Sequence, residues 1–97
     1  MEKSKKDLLS KEFKVATQIY ECNENDETVW FTKLAELLKD DMSPATTMKA
    51  LRTLVDWNMV KAEYGPTAKG RAGRLLFIAG ESKETIKQIY EKFWKNR

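Results

Sequence analysis

Apolar positions recur at helical spacing in four separate stretches of the chain, and each stretch predicts a helix with one buried face. The first helix is predicted over about residues 5–21. A short second helix follows Thr32, which is a good N-cap, and ends near Asp41. The apolar positions are Leu9, Phe13, Ala16, Ile19 and Tyr20 in the first helix and Leu34, Ala35, Leu37 and Leu38 in the second.

The third helix has the clearest start and stop signals. Ser43 is a good N-cap and Pro44 suits the first helical position, while Asn58 tolerates the left-handed backbone that closes a helix. A helix is therefore predicted over residues 44–57. Its apolar spacing predicts a buried stripe made of Met48, Leu51, Leu54 and Val55. Arg52 is expected beside that stripe, and the opposite face is expected to carry Thr46, Lys49, Ala50 and Thr53.

From Met59 onward the apolar period changes from that of a helix to that of a strand. Strands are predicted over residues 59–64 and 74–80, joined by the glycine-rich basic segment 65–74 into a hairpin with a long tip. The β-branched and aromatic segment 28–31 is either an edge strand or an extended connector. The predicted fold is thus mainly α with a small β-hairpin, an α+β arrangement.

A fourth helix is predicted over about residues 82–96, with Ser82 as its N-cap. Its apolar stripe is wide and includes three aromatic residues, which a small core cannot fully cover. We predict that the stripe pairs with its twin in a second chain to form a homodimer, with Leu8, Leu9 and Phe13 as further candidates. The alternative is that this helix folds back and completes its own core. The stripe consists of Ile86, Ile89, Tyr90, Phe93 and Trp94.

With 97 residues and no repeat or linker segment, residues 1–97 are expected to form a single domain, with a core over about residues 5–80 followed by the C-terminal helix. The net charge is only +3, but it is unevenly distributed. Residues 44–74 contain six basic and two acidic side chains, a net charge of +4, whereas residues 1–43 have a net charge of −3. The basic middle segment favours a polyanionic partner.

The residue types present exclude several kinds of site. The chain has no histidine and one cysteine, so a zinc site or a Cys–His catalytic pair is excluded within one chain, and no cofactor is expected. Cys22 is a candidate for oxidation sensing if it is exposed, and otherwise an incidental small side chain. No apolar run is long enough for a membrane span, and the N-terminus lacks the apolar region of a signal peptide. We therefore expect a cytoplasmic protein that is not an enzyme.

At the third helix and the hairpin, the sequence resembles the winged-helix DNA-binding domains of small prokaryotic transcription regulators of the MarR and PadR type. The segment SPATTMKALRTLVDWNMVKAEYG, residues 43–65, carries the resemblance together with the basic hairpin tip. In that family the recognition helix ends in a Leu-x-x-Leu run, followed by a Gly and then by an apolar–Val pair that opens the first wing strand. Here these places are filled by Leu51, Leu54, Asn58, Met59 and Val60, so Asn replaces the usual Gly. The resemblance implies a winged helix-turn-helix fold with an additional C-terminal helix.

The resemblance also implies a sequence-specific transcription regulator that binds double-stranded DNA. The recognition helix, residues 44–57, would lie in the major groove, and the wing, residues 65–74, on the backbone or in the minor groove. The alternative is a winged helix that makes protein–protein contacts within a transcription or replication assembly. The residues indicate no particular small-molecule effector. The expected DNA contacts are Thr46, Lys49, Ala50 and Thr53 on the helix and Lys69, Arg71 and Arg74 on the wing.

Overall fold

Four α-helices and one antiparallel hairpin form the part of the chain that the computed structural model describes, residues 8–66 and 72–94. A 3₁₀ turn, Gly80–Ser82, precedes the last helix. The order of elements and the mainly helical composition confirm the fold class predicted from the sequence. The elements are α1 (Lys11–Glu24), α2 (Phe31–Leu37), α3 (Pro44–Asp56), β1 (Val60–Pro66), β2 (Ala72–Ile78) and α4 (Lys83–Phe93).

Helix α1 begins at a side-chain cap. The Ser10 hydroxyl accepts a hydrogen bond from the backbone N–H of Phe13 at 3.2 Å, which satisfies one of the free donors of the first turn. The helix ends at Glu24, later than the predicted residue 21, and residues 5–7 of the predicted helix lie outside the described chain. Its inward face is fully buried at Val15, Ala16 and Ile19.

Helix α2 differs from its prediction at both ends. It begins at Phe31 with Trp30 in the capping position, so Thr32 lies inside the first turn and its predicted role as N-cap was wrong. It ends at Leu37 instead of Asp41, because the following residues form a turn in which the Asp41 N–H donates to the carbonyl of Leu38. Within segment 28–31, residues 28–30 form an extended connector that leads into α2, and the Val29 carbonyl accepts one hydrogen bond from Leu76 of β2.

Helix α3 begins at the predicted residue and ends one residue earlier than predicted, at Asp56, and local caps determine both of its ends. The Ser43 hydroxyl accepts from the Thr46 N–H at 3.2 Å, and Pro44 occupies the first helical position. At the other end, Asn58 has a φ of 62°, in the left-handed region. Its N–H donates to the Val55 carbonyl at 3.0 Å, and the next N–H, from Met59, donates to Leu54 at 2.9 Å. These two bonds form a Schellman motif, which ends the helix and starts the hairpin.

The buried face of α3 is rotated from the predicted one. Val55 is 41% exposed and was wrongly assigned to the stripe, while Met48 is only half-buried. Thr47 is buried instead, because its hydroxyl donates to the Ser43 carbonyl at 3.0 Å and so carries no unsatisfied polar group into the core. The buried face consists of Thr47, Ala50, Leu51 and Leu54.

The hairpin is joined to the helices through the outer edge of β2. The side chain of Asn23, near the end of α1, accepts from the Ile78 N–H at 3.0 Å and donates to the Leu76 carbonyl at 3.3 Å. The Leu76 N–H donates to Val29 at 2.8 Å. One amide side chain and one connector carbonyl therefore pair with this edge in place of a third strand. Strand β1 pairs with the other edge in the register Val60↔Ile78, Ala62↔Leu76 and Tyr64↔Arg74.

Helix α4 packs antiparallel to α1 of its own chain. Ile86 is fully buried, the Tyr90 hydroxyl donates to Glu21 at 3.2 Å, and the Trp94 indole N–H donates to the Thr17 hydroxyl at 2.8 Å. The interface role predicted for Ile86 was therefore wrong, because its own core leaves it no surface for a second chain. Ser82 occupies the N-cap position as predicted, but its side chain makes no capping hydrogen bond. None of the described helices is long and apolar enough to span a lipid bilayer.

We expect an Asn23→Ala substitution to destabilise the fold by about 1–3 kcal/mol, because it leaves two backbone groups of β2 without their partner. Urea unfolding followed by circular dichroism measures the change. Asn25→Ala is the matched control, since Asn25 is exposed and follows the same helix; its effect should stay within about 0.5 kcal/mol. Equal effects of the two substitutions would show that the Asn23 bridge does not hold the hairpin.

Candidate nucleic-acid interface

The exposed face of α3 carries two cations. Because Thr47 and Ala50 face the core, the opposite side presents Lys49 and Arg52, both exposed, as is Ala45 in the first turn. Ala50 is only 3% exposed, so its predicted role as a contact residue was wrong. Arg52 was missed, because the sequence-based stripe placed it beside the core. Thr47 was the signal for the exposure of Arg52, because the Thr47 hydroxyl can donate a hydrogen bond within the helix and the side chain can then be buried.

The two threonines on the flank of this face differ in their free hydrogen-bonding capacity. Thr53 donates its hydroxyl proton to the Lys49 carbonyl at 3.1 Å, which leaves only its lone pairs for a ligand. The Thr46 hydroxyl accepts from Ser43 at 3.1 Å, so its own proton is still available to an external acceptor. Both residues are half-buried. Thr46 is thus suited to donate and Thr53 to accept.

A groove of about 410 Å³ lies between α3 and the hairpin, and it brings together cations from both elements. Arg52 of α3 and Arg74 of β2 both line it, with Asp56 as the acidic residue of the lining. Within the described ranges no ion pair joins either arginine, or Lys49, to a carboxylate. The remaining lining is apolar and consists of Phe31, Met48, Leu51, Val55, Ala62 and Leu76.

Of the three predicted wing residues, the structure describes Arg74 alone. Arg74 is exposed and belongs to strand β2, because the strand pairing continues outward to Pro66↔Ala72. Both strands therefore reach further toward the tip of the hairpin than predicted, to Pro66 and Ala72 instead of residues 64 and 74. Lys69 and Arg71 lie outside the described residues.

A second groove, of about 350 Å³, has the opposite charge. It lies at the end of α1, next to β2 and the start of α4, and three carboxylates line it against one lysine. Lys83 is paired with Glu24 at 3.5 Å. A polyanion is therefore favoured at the α3 groove and disfavoured here. The carboxylates are those of Glu24, Asp26 and Glu27.

Cys22 is not placed as a redox sensor. It is 2% exposed, and burial raises the pKa of its thiol, which disfavours the reactive thiolate. Among the described residues no group of three or more acidic or sulfur ligands is arranged to hold a metal ion. On the surface formed by α3 and the hairpin, the groups that can bind a ligand are the cations and the hydroxyls.

The backbone is similar to those of solved winged-helix proteins. The circadian clock associated protein Pex from Anabaena aligns with a TM-score of 0.67 and 17% identity, over 91% of this chain and 79% of that chain. A PadR-like transcriptional regulator from Bacillus cereus strain ATCC 14579 aligns with a TM-score of 0.60 and 17% identity, over 81% and 79%. Pex from Synechococcus sp. strain PCC 7942 aligns with a TM-score of 0.60 and 21% identity, over 91% and 85%.

No protein-family model and no curated protein matches the sequence. At these identities the likeness to solved structures is one of fold, and it confirms the winged-helix architecture that the resemblance implied. In that architecture α3 has the position of the second helix of the helix-turn-helix, and β1–β2 has the position of the wing. The groove described above therefore lies between this helix and the wing.

We expect Cys22 to react with iodoacetamide at least about a hundredfold more slowly in the folded protein than in urea, because the thiol must first be exposed by local unfolding that costs about 3 kcal/mol or more. Mass spectrometry of samples quenched over time gives the two rates. Reaction at similar rates in both conditions would mean that the thiol is accessible in the folded state.

Proposed function

We propose that the chain is a sequence-specific regulator of transcription that binds double-stranded DNA through α3 and the hairpin. The observation that carries the proposal is the groove in which Arg52 and Arg74, from two different elements, lie without an ion pair in the described chain. The similar PadR-like structure, which is named a transcriptional regulator, supports it.

In the proposed complex α3 lies in the major groove. A helix with its side chains is about 10–12 Å across, and the major groove of B-DNA is about 12 Å wide. Lys49 and Arg52 can donate to guanine O6 and N7 or to phosphates, and the hydroxyls of Thr46 and Thr53 add one donor and one acceptor. Asp56 can accept from the amino group of cytosine.

The hairpin is proposed to contact the backbone beside that groove. Arg74 projects from β2 toward the space next to α3, where a phosphate strand passes when α3 lies in the major groove. Lys69 and Arg71 remain proposed phosphate or minor-groove contacts of the tip. In a prokaryotic cell such a protein acts in the cytoplasm, where the DNA is.

The second candidate function is a protein-contact module. Trp57 is 53% exposed just after α3, and Val55 is 41% exposed on its flank, so the end of this helix presents apolar surface. Exposed tryptophan is enriched in protein interfaces. Because the cations of α3 and β2 do not contribute to such a contact, DNA binding is the favoured proposal.

We also propose that the protein acts as a homodimer through one end of the α1–α4 pair. The bond between Thr17 and Trp94 places Phe13, one turn earlier in α1, at the same end as Phe93. Leu8, which precedes α1, is 74% exposed, and Phe13 and Phe93 are half-buried. A twofold contact there would set two α3 helices about 34 Å apart and would require a palindromic operator.

For DNA binding, we expect affinity to fall steeply as salt rises from about 50 to 200 mM, with a log–log slope of about 0.9 per phosphate neutralised. Arg74→Ala should flatten that slope by about 0.9, because one phosphate contact is lost. Lys61→Ala is the matched control: Lys61 is on the same hairpin but the opposite face, and it is paired with Glu63 at 3.9 Å. Fluorescence anisotropy with a labelled duplex from DNA flanking the chain's own gene measures both effects.

The same assay with single base-pair changes tests whether α3 contacts base edges. Lys49→Ala should alter the preference between duplexes by about 1–3 kcal/mol, whereas Arg74→Ala should weaken all of them alike. Absence of binding to any duplex at the lowest salt concentration would disprove the proposed function. It would favour the protein-contact alternative.

For the dimer, we expect the wild type to sediment as a dimer at tens of micromolar and Leu8→Glu to sediment as a monomer, because a charge would be buried at the contact. Leu37→Glu, on α2, is the matched control, since Leu37 is also exposed, at 45%, and should leave the dimer intact. A monomeric wild type at this concentration would end the dimer proposal.

A further inference from the structure

Tyr64 is the most exposed of the large hydrophobic side chains in the described chain, at 81%. It lies in β1 directly across from Arg74 of β2. A tyrosine in a strand usually packs its ring on a neighbouring element, which stabilises the sheet. Here the side chain is largely exposed, so packing against the core does not explain why the position carries an aromatic residue.

The strand register shows which way this side chain faces. Alternate residues share one face of a strand, so Tyr64 and Arg74 continue the face formed by the pairs Val60↔Ile78 and Ala62↔Leu76. Val60, Leu76 and Ile78 are buried against the helices, and Ala62, Leu76 and Arg74 line the groove beside α3. Tyr64 is therefore at the outer end of that groove, beside its hairpin arginine.

The chemistry of this position matches the backbone of a DNA strand. A phenol offers a flat apolar ring, which can lie against a deoxyribose, and a hydroxyl that can donate to a phosphate oxygen. Within the described residues the Tyr64 hydroxyl has no hydrogen-bond partner, and Arg74 has no ion pair. The two side chains thus present one neutral and one charged donor side by side on the face directed toward α3.

We infer that Tyr64 is an uncharged contact between the hairpin and the DNA backbone, next to the charged contact made by Arg74. The inference rests on the proposed function and adds a residue that contributes nothing to the charge of the surface. The phenolic O–H donates to a phosphate oxygen while the ring covers the adjoining sugar. Together with Arg52 across the groove, the two hairpin residues hold one strand between α3 and the wing.

The test is anisotropy with Tyr64→Phe and Tyr64→Ala on two duplexes, one from DNA flanking the chain's own gene and one of random sequence. Loss of a hydrogen bond to a charged group should weaken binding about tenfold in Tyr64→Phe, equivalent to about 1.4 kcal/mol. Tyr64→Ala should lose more, since the ring is also removed. Both duplexes should be affected equally, because the contact is to the backbone.

The salt dependence separates this contact from a charged one. Both Tyr64 variants should keep the wild-type slope, because no counterion is released by a neutral donor, whereas Arg74→Ala should flatten it. Thermal melting should be unchanged in Tyr64→Phe, as the side chain is exposed.

Wild-type affinity in Tyr64→Ala would overturn the inference and leave the proposed function standing. A slope flattened as in Arg74→Ala would also overturn it, since Tyr64 would then only position the arginine. If the wild type binds neither duplex, the proposed function and this inference fail together.

Discussion

The position of the hairpin depends on the polar edge of β2, where no third strand is present. A strand edge inside a fold must have its N–H and C=O groups paired, because each unpaired buried group costs about 1–3 kcal/mol. In this chain Asn23 supplies both an acceptor and a donor, to Ile78 and Leu76, and the Val29 carbonyl supplies one more acceptor. Since Asn23 belongs to α1, the same bonds that satisfy the strand also fix the wing against the helical core.

The other strand of the hairpin, β1, is held at the same end by the turn after α3. The two bonds of the Schellman motif close the helix at Asn58 and direct the chain straight into β1. The Asn23 bridge and this turn together constrain both strands at their roots. The separation between α3 and the wing, and with it the groove between Arg52 and Arg74, therefore follows from the Asn23 bridge and the turn at Asn58.

Local signals were predictable from the sequence, and packing was not. The ends of α3 follow from Ser43, Pro44 and Asn58, which act within a few residues, so its bounds were predicted to within one residue. The rotation of α3 depends on which side packs into the core, and the small Thr47 and Ala50 are buried on that side. The apolar pattern of the sequence favours Val55 over Thr47 as a buried residue. It therefore placed Arg52 too close to the core. Asn23 was missed because its partners are 53 and 55 residues away.

Cations from two different elements meet in the α3 groove without ion-pair partners in the described chain, and this matters more than the number of charges. A net charge of +3 on 97 residues is too small to direct a polyanion by itself, since charges are screened beyond about 8 Å at physiological salt. On the helical body Lys33, Lys39 and Lys83 have glutamate partners within 4 Å, which cancels their local fields. The cations that line the α3 groove have none in the described chain. Asp56 offsets only one of the two arginine charges in the lining, so a phosphate strand that approaches to within a screening length would meet net positive charge there. The apolar floor beneath it lowers the local dielectric and strengthens the attraction.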